Sequence, residues 1–484
     1  MVDEALQQNL TLRQLWARLE QAKASAVQAA SLLYPQLDLT ADASYTRSVT
    51  TLETEAPSFR RQLRNSAVES VAGSLAGALS ENLGGATNGS QAGNGVSRAG
   101  GSASFDFSSP PTRQVLETKQ FGLGLAASYE IDLWGRISSS YKAASYDFQA
   151  TRYDLESTAM TVASEVAILW LGILEQQELQ AVLQEQLATN STYLELVELR
   201  FRKALVSALD VYQQREAVGA VKKQIALVEA QEEVFRHELA VLLGKPPAAR
   251  LVMGDYDLAE LPPPPGTGIP ADLLYYRPDI RASLSRLHAA DYRVASARAD
   301  RLPAIRLTGG IGYNADDIAN IFDDWFINLA AGLVQPLFDG YQREAEVERT
   351  LAVVEERLAD YRLTVLNAIK EVENALIQQK KQQEHIEALK QQLTAARNSL
   401  EQATQRYQKG LTDYLPVLTA LERTQLLARD LVSARRELLV FRINLYRALG
   451  GSWTQELYPP EFLSDEKGMA DAKNGSKDLE ETEQ

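Results

Sequence analysis

Four stretches of the chain alternate strictly between apolar and polar residues. From Leu37 the apolar side chains fall on odd positions (Leu37, Leu39, Ala41, Ala43, Tyr45), with polar ones between them. Phe121, Leu123, Leu125, Ala127, Tyr129 and Ile131 repeat the pattern. So do Ile305, Leu307, Ile311 and Tyr313, and then Trp325, Ile327, Leu329, Ala331 and Leu333. A period of two is the mark of a β-strand with one apolar face. Strands are expected at about 35–47, 121–132, 304–314 and 325–336. Each is about 11 residues, the length of a tilted membrane-spanning strand. Aromatic residues stand near the strand ends (Tyr34, Tyr45, Phe121, Tyr129, Tyr313, Trp325), as at a lipid–water boundary. A soluble four-stranded sheet with one face on a core fits the alternation as well.

Elsewhere the period changes. Val347, Leu351, Val354, Leu358, Tyr361, Val365, Ala368 and Val372 are spaced alternately four and three. Ile386, Leu389, Leu393, Ala396, Leu400, Ala403 and Tyr407 continue the spacing after a polar break at Gln378 to Glu384. That is a coiled-coil stripe. No proline interrupts residues 337–415, so one helix is expected from Gln342 to Lys409, roughly 100 Å long. A helix of similar length is expected from Ser138 to Lys203. Helices this long must pack side by side in a bundle or tube.

The chain also repeats itself. Gln176-Gln177-Glu178 returns as Gln382-Gln383-Glu384, an offset of 206. Phe201-x-Lys203-x-Leu205 returns as Tyr407-x-Lys409-x-Leu411, and Leu243-Gly244 as Leu449-Gly450, at the same offset. Two copies of one unit follow, 1–244 and 272–450, each reading helix, strand, loop, strand, long helix, helix. The linker 245–271 holds seven of the 17 prolines. The first copy carries an insertion at 48–120. In it Leu63, Val71, Leu75, Leu79 and Leu83 suggest a short amphipathic helix, and residues 84–101 hold seven glycines. Residues 451–484 close the chain, and after Ser464 they are acidic and poor in apolar residues, which predicts a disordered tail.

Composition narrows the function. The 484 residues carry 49 Lys+Arg against 64 Asp+Glu, a net charge of −15, which argues against a nucleic-acid binder. There is no cysteine, so disulfides, thiolate metal sites and thiol catalysis are excluded. The three histidines are far apart and form no metal motif. No apolar run of 18 residues exists, and no apolar leader follows Met1. Gly122-x-Gly124-x-x-Ala127 resembles a dinucleotide fingerprint, but it lies inside an alternating strand rather than before a helix. No catalytic residue, cofactor or metal ligand is assigned. Membrane strands cannot leave open edges in lipid. Four strands therefore cannot close alone: at least two chains are needed, and three chains supply twelve.

Several motifs resemble the TolC-like outer-membrane efflux proteins, in particular those partnered with resistance-nodulation-division pumps. They are Tyr129-Glu130-Ile131-Asp132-Leu133-Trp134-Gly135-Arg136, Leu274-Tyr275-Tyr276-Arg277-Pro278-Asp279-Ile280-Arg281 and Arg406-Tyr407-Gln408-Lys409-Gly410-Leu411-Thr412-Asp413-Tyr414-Leu415. Leu302-Pro303, with Leu307-Thr308-Gly309 after it, joins them. The resemblance implies an α+β membrane protein: a homotrimer whose four strands per chain form a twelve-stranded barrel, continuous with a coiled-coil helical barrel in the periplasm of a Gram-negative bacterium. It implies a passive, non-enzymatic exit duct for small molecules, working with a periplasmic adaptor and an inner-membrane pump. Type I protein secretion and metal export are the alternatives within the family, and a soluble coiled-coil scaffold the alternative outside it. Many members carry a lipidated N-terminal cysteine; this sequence holds none.

Three sets of residues are singled out. The tips between long and return helices are Lys203, Leu205, Ser207 and Lys409, Gly410, Leu411, Thr412. Gly410 suits a helix C-cap, and Ser207 and Thr412 suit the next N-caps. The resemblance makes these tips the adaptor-docking ends and the periplasmic gate. Relatives place gate carboxylates at positions that fall here on Pro416 and Thr419, which leaves Asp413, Leu415 and Asp210 as candidates. Asp132, Trp134, Gly135 and Arg136 form a strand–helix junction, with Gly135 for a tight turn and Trp134 as an interfacial anchor.

Overall fold

The structure is a computed structural model that describes residues 1–52, 112–249 and 275–450, together with Leu251, Leu261, Thr454 and Leu457. The expected insertion helix and acidic tail lie outside the described residues. The chain divides into two compact units.

The larger unit is helical. It holds α1 (Val2–Gln8), α2 (Leu10–Ser31), α3 (Arg136–Arg202), α4 (Ala208–Leu242), α5 (Pro278–Ala299), α6 (Gln342–Gln408) and α7 (Leu415–Leu449). The two copies match in length: α2 and α5 have 22 residues, α3 and α6 have 67, and α4 and α7 have 35. Asn9 starts α2, its side-chain oxygen accepting the Thr11 and Leu12 N–H groups while its amide donates to Leu242 O at 2.8 Å. Leu12, Leu19, Leu155, Val166, Ile173 and Leu239 fill one core between α2, α3 and α4. A stretch of α3 is apolar enough by length and composition to cross a membrane, but half of it is buried in the bundle, as a core helix would be. Gly172 explains a close approach there: a Cβ would stand 3.0 Å from the Phe235 ring.

The polar break in α6 is not a solvated gap. Gln379 and Gln382 are buried, accepting from Arg442 Nε at 2.9 Å and donating to Ala434 O at 3.0 Å respectively. Leu351, expected in the apolar stripe, is exposed instead.

The smaller unit is a sheet in the order β1 (Gln36–Leu52), β2 (Thr112–Ile131), β3 (Ala304–Ala315), β4 (Trp325–Val334). β1 and β2 pair antiparallel from Gln36 opposite Ser128 to Leu52 opposite Thr112. They run past the expected ends at 47 and 121, so residues 48–52 and 112–120 are strand rather than insertion. The β-branched residues Thr46, Val49, Thr50 and Thr51 carry the ladder beyond the clear alternation. β4 stops at Val334, short of 336, where Pro336 offers no ladder donor. The odd-position apolar side chains find no core: Leu39 is 73% exposed and Leu329 is 85% exposed. That is the opposite of a soluble sheet resting on a core. Glycine lines the other face, where a Cβ on Gly122 would lie 2.5 Å from Asp42 Oδ1.

Candidate functional site

α3 and α6 end in the same turn. Leu205 N–H donates to Arg200 O at 2.9 Å and Ala204 N–H to Phe201 O at 2.8 Å. In the second copy Leu411 N–H donates to Arg406 O at 2.9 Å and Gly410 N–H to Tyr407 O at 3.0 Å. This pattern needs a left-handed residue, supplied at φ +54° by Ala204 and φ +72° by Gly410. The return helices then start differently. Ser207 caps α4 in a capping box, its N–H and hydroxyl both donating to Asp210 Oδ2 at 2.9 Å. α7 has Tyr414 at its N-cap and no side-chain cap, so Thr412 is not the cap expected. Pro416 has no N–H to satisfy, and Tyr414 O accepts the Val417 and Leu418 N–H groups at 2.9 and 3.1 Å.

Tyr414 sits there because its ring is core. It packs with Val197, Val211, Ala217, Tyr407, Val417 and Leu418. The Tyr407 and Tyr414 ring centroids are 5.3 Å apart, and the Arg200 guanidinium lies 4.3 Å from the Tyr407 centroid. Burial drives the Tyr414 phenol well above its ordinary pKa, with Tyr193, Tyr407, Asp210 and Glu422 adding to the rise. The phenol is therefore a fixed hydrogen-bond donor.

From Tyr414 a buried polar ladder crosses between the two copies. Its hydroxyl donates to Gln214 Oε1 at 2.6 Å. Gln214 Nε2 donates to Asn190 O at 2.8 Å, and Asn190 Nδ2 to Gln425 Oε1 at 3.0 Å. Gln186 Nε2 donates to Gln425 O at 3.0 Å, and Arg429 Nη1 to Gln186 Oε1 at 2.6 Å. Sequence reasoning missed this ladder. Its signal was Gln and Asn standing where the helix period calls for core residues.

The structure places the gate candidates around this core. Leu415 is 53% exposed, so it does not pack between the helices of its own tip. Asp413, Pro416 and Thr419 are exposed beside it, and Asp210 is half-buried in its capping box. Lys203, Leu205, Ser207, Lys409, Gly410 and Leu411 are exposed and Thr412 is half-buried.

At the junction Gly135 takes φ +77° before α3. Asp132 reaches forward to accept the Ile137 and Ser138 N–H groups at 3.0 and 2.7 Å. Burial would raise its pKa, but these backbone bonds outweigh burial and hold the carboxyl below its ordinary value. Trp134 Nε1 donates to Pro303 O at 2.8 Å, and Arg136 Nη2 pairs with Glu130 at 2.7 Å. Each residue is spent on shape. Arg277, named from sequence only as part of a family motif, is a buried clamp. It donates to Asp279 at 2.6 Å, Glu371 at 2.8 Å and Ala448 O at 3.0 Å. Among the described residues no group of three metal-ligating side chains converges.

The sequence profile described as "Outer membrane efflux protein" matches residues 1–81, 95–245 and 269–451. The chain belongs to that family. It is 34% identical over 343 residues to the pyoverdine export outer membrane protein OpmQ of Pseudomonas aeruginosa, covering 69% of this chain and 71% of OpmQ. It is 29% identical over 351 residues to the cation efflux system protein CusC of Escherichia coli, covering 70% and 74%. The outer-membrane channel OprN has the same fold, with a TM-score of 0.78 and 24% identity over 94% of this chain and 89% of that one. The efflux protein is thus an α+β membrane protein of the Gram-negative outer membrane. Each chain contributes one four-stranded sheet and one unit of long helices. It is a duct, not an enzyme.

Proposed function

We propose that this efflux protein is the passive exit duct of a tripartite pump, exporting small amphiphilic molecules handed on by a periplasmic adaptor and a resistance-nodulation-division pump in the inner membrane. The observation that carries the cargo class is the likeness to a pyoverdine exporter. Cation export is the second reading, since a cation efflux protein is also similar; only four methionines and three histidines in the whole chain speak against it. The gate is the second tip. Three copies about an axis bring one residue per chain into a ring. An exposed Leu415 gives an apolar constriction, and Asp413 beside it gives a cation-attracting one. Adaptor hairpins dock on the neighbouring tip residues Leu205 and Leu411, both exposed.

Planar-bilayer recording tests this. Leu415→Gly raises conductance without lowering trimer stability, and Asp413→Asn reduces cation preference. Unchanged conductance together with a weakened trimer would make Leu415 a packing residue and sink the gate. Unchanged selectivity would move the acidic filter away from Asp413.

A further inference from the structure

The four strands are unequal. β1 has 17 residues and β2 has 20, whereas β3 has 12 and β4 has 10. About 9–11 residues take a tilted strand across a membrane, so β3 and β4 end near its surface and β1 and β2 run on. A Cβ on Gly312 would lie 2.9 Å from Leu123 O, and one on Gly310 3.4 Å from Leu125 O. That aligns β3 antiparallel on β2 and brings its last residue, Ala315, level with Gln120. From Lys119 to Thr112, β2 is therefore paired with β1 alone. The other end of every strand leads to a helix, α2 into β1, β2 into α3, α5 into β3 and β4 into α6. The two-stranded ribbon is thus the end of the sheet that points out of the cell. Such a ribbon is marginal in water unless something covers it.

Its outward face continues the exposed apolar face of Leu39 and Leu329, and the register orders that face in rungs. Ala43 lies opposite Phe121, Tyr45 opposite Lys119, Arg47 opposite Glu117 and Val49 opposite Val115. Apolar rungs thus give way, just past Phe121, to two rungs that carry cations. Glu117 is taken by the Tyr45 hydroxyl and by Arg47, the latter a loose pair at 3.4 Å with both side chains at least half-exposed. A pair of that kind contributes little. Lys119 is exposed and pairs with no carboxylate among the described residues. The β3–β4 turn differs in sign. Asp316, Asp317, Asp323 and Asp324 are exposed there, and residues 316–324 hold no Lys or Arg.

We propose that the outward face of this ribbon binds the phosphorylated headgroup of an outer-leaflet glycolipid, with Lys119 and Arg47 on the phosphates and Tyr45 and Phe121 against the sugar and the upper acyl chains. A cation one rung beyond the aromatic boundary stands at the depth of a lipid phosphate, and its long side chain reaches it while the stem stays on apolar surface. The occupant is a lipid rather than a free anion, because the cations adjoin a continuous apolar face and only a headgroup carrying chains satisfies both. The aspartates of the β3–β4 turn repel phosphate and direct it to the ribbon.

The test titrates the purified protein in detergent with bisphosphorylated lipid A and with the same lipid dephosphorylated, and counts bound lipid by native mass spectrometry. The phosphorylated lipid binds preferentially. The double variant Lys119→Gln with Arg47→Gln weakens that binding roughly tenfold, with circular dichroism unchanged, and Lys119→Arg keeps it. Arg306→Gln, which removes a cation from the other face of the sheet, leaves it as it was. Equal binding of the two lipids by the unaltered protein overturns the proposal without any variant. Parent-like binding by the double variant overturns it too. Full displacement of the lipid by millimolar inorganic phosphate would make this a bare anion site and overturn the lipid assignment.

Discussion

The two copies of the repeat reach the same helix lengths by different local means. In the first, the left-handed turn residue after α3 is Ala204, and the return helix opens with the Ser207–Asp210 capping box. In the second, the turn residue is Gly410, and the return helix opens uncapped at Tyr414. The first tip bears backbone strain and gains a cap. The second is relaxed in its backbone and is fastened by a buried ring and hydroxyl instead. The contrast teaches that length and period define the hairpin, whereas end chemistry decides which tip is tied down from within its own copy and which leans on the other copy of the same chain.

The largest effect that sharpens this contrast lies in the ladder. Gln214→Ala leaves the Tyr414 hydroxyl and the Asn190 groups without their partner, costing about 2–3 kcal/mol, whereas Ala420, 206 residues on at the matching position of α7, has no side-chain hydrogen bond to lose, so Ala420→Gly costs only about 1 kcal/mol. Hydrogen exchange across 190–215 and 405–425 measures both. Equal losses at the two sites would mean the copies are alike after all. Next come the turn residues. Ala204→Gly relieves the left-handed strain and stabilises by about 1 kcal/mol, and Gly410→Ala destabilises by about the same. Slower exchange at the first tip and faster exchange at the second are the expected readings. The smallest effect is at the junction. The Asp132 carboxyl is held below its ordinary pKa, so its contribution is complete above about pH 4 and fades as pH falls through the folded value. Asp132→Asn therefore costs about 0.5 kcal/mol at neutral pH, and the difference from the parent vanishes in acid thermal scans.

Much of this architecture was legible. Period two located every described strand, period three-and-a-half located α6 with its start at Gln342, and the similarity of the two copies located α3, whose start at Arg136 lies two residues before the expected Ser138. Strand ends were not, because Thr and Ser pair well without alternating in hydropathy. The cap at Thr412 was misread because capping rules weigh side chains alone. They do not see that burying Tyr414 fixes where α7 begins. The ladder was invisible for a related reason. Gln and Asn at core positions of the helix period mark a buried polar contact but name no partner until the facing helix is placed, so Gln186 and Gln425 did not disclose the ladder by themselves. The gate candidates came from resemblance, and the structure adds only that Leu415 and Asp413 are exposed at the tip.

The Arg277 clamp has a consequence for the order in which the protein is made. Its guanidinium waits for a carboxylate at Glu371 and a carbonyl at Ala448, which lies 171 residues further on. A chain emerging N-terminus first completes the first hairpin long before that carbonyl exists. Until Ala448 is in place, the guanidinium has Asp279 and Glu371 as partners but lacks its carbonyl, and the N–H aimed there keeps its water. The clamp at the head of the second copy is therefore completed only by the last residues of that copy. A chain cut short before Ala448 ends with a guanidinium that keeps Asp279 and Glu371 but lacks the carbonyl that completes its clamp.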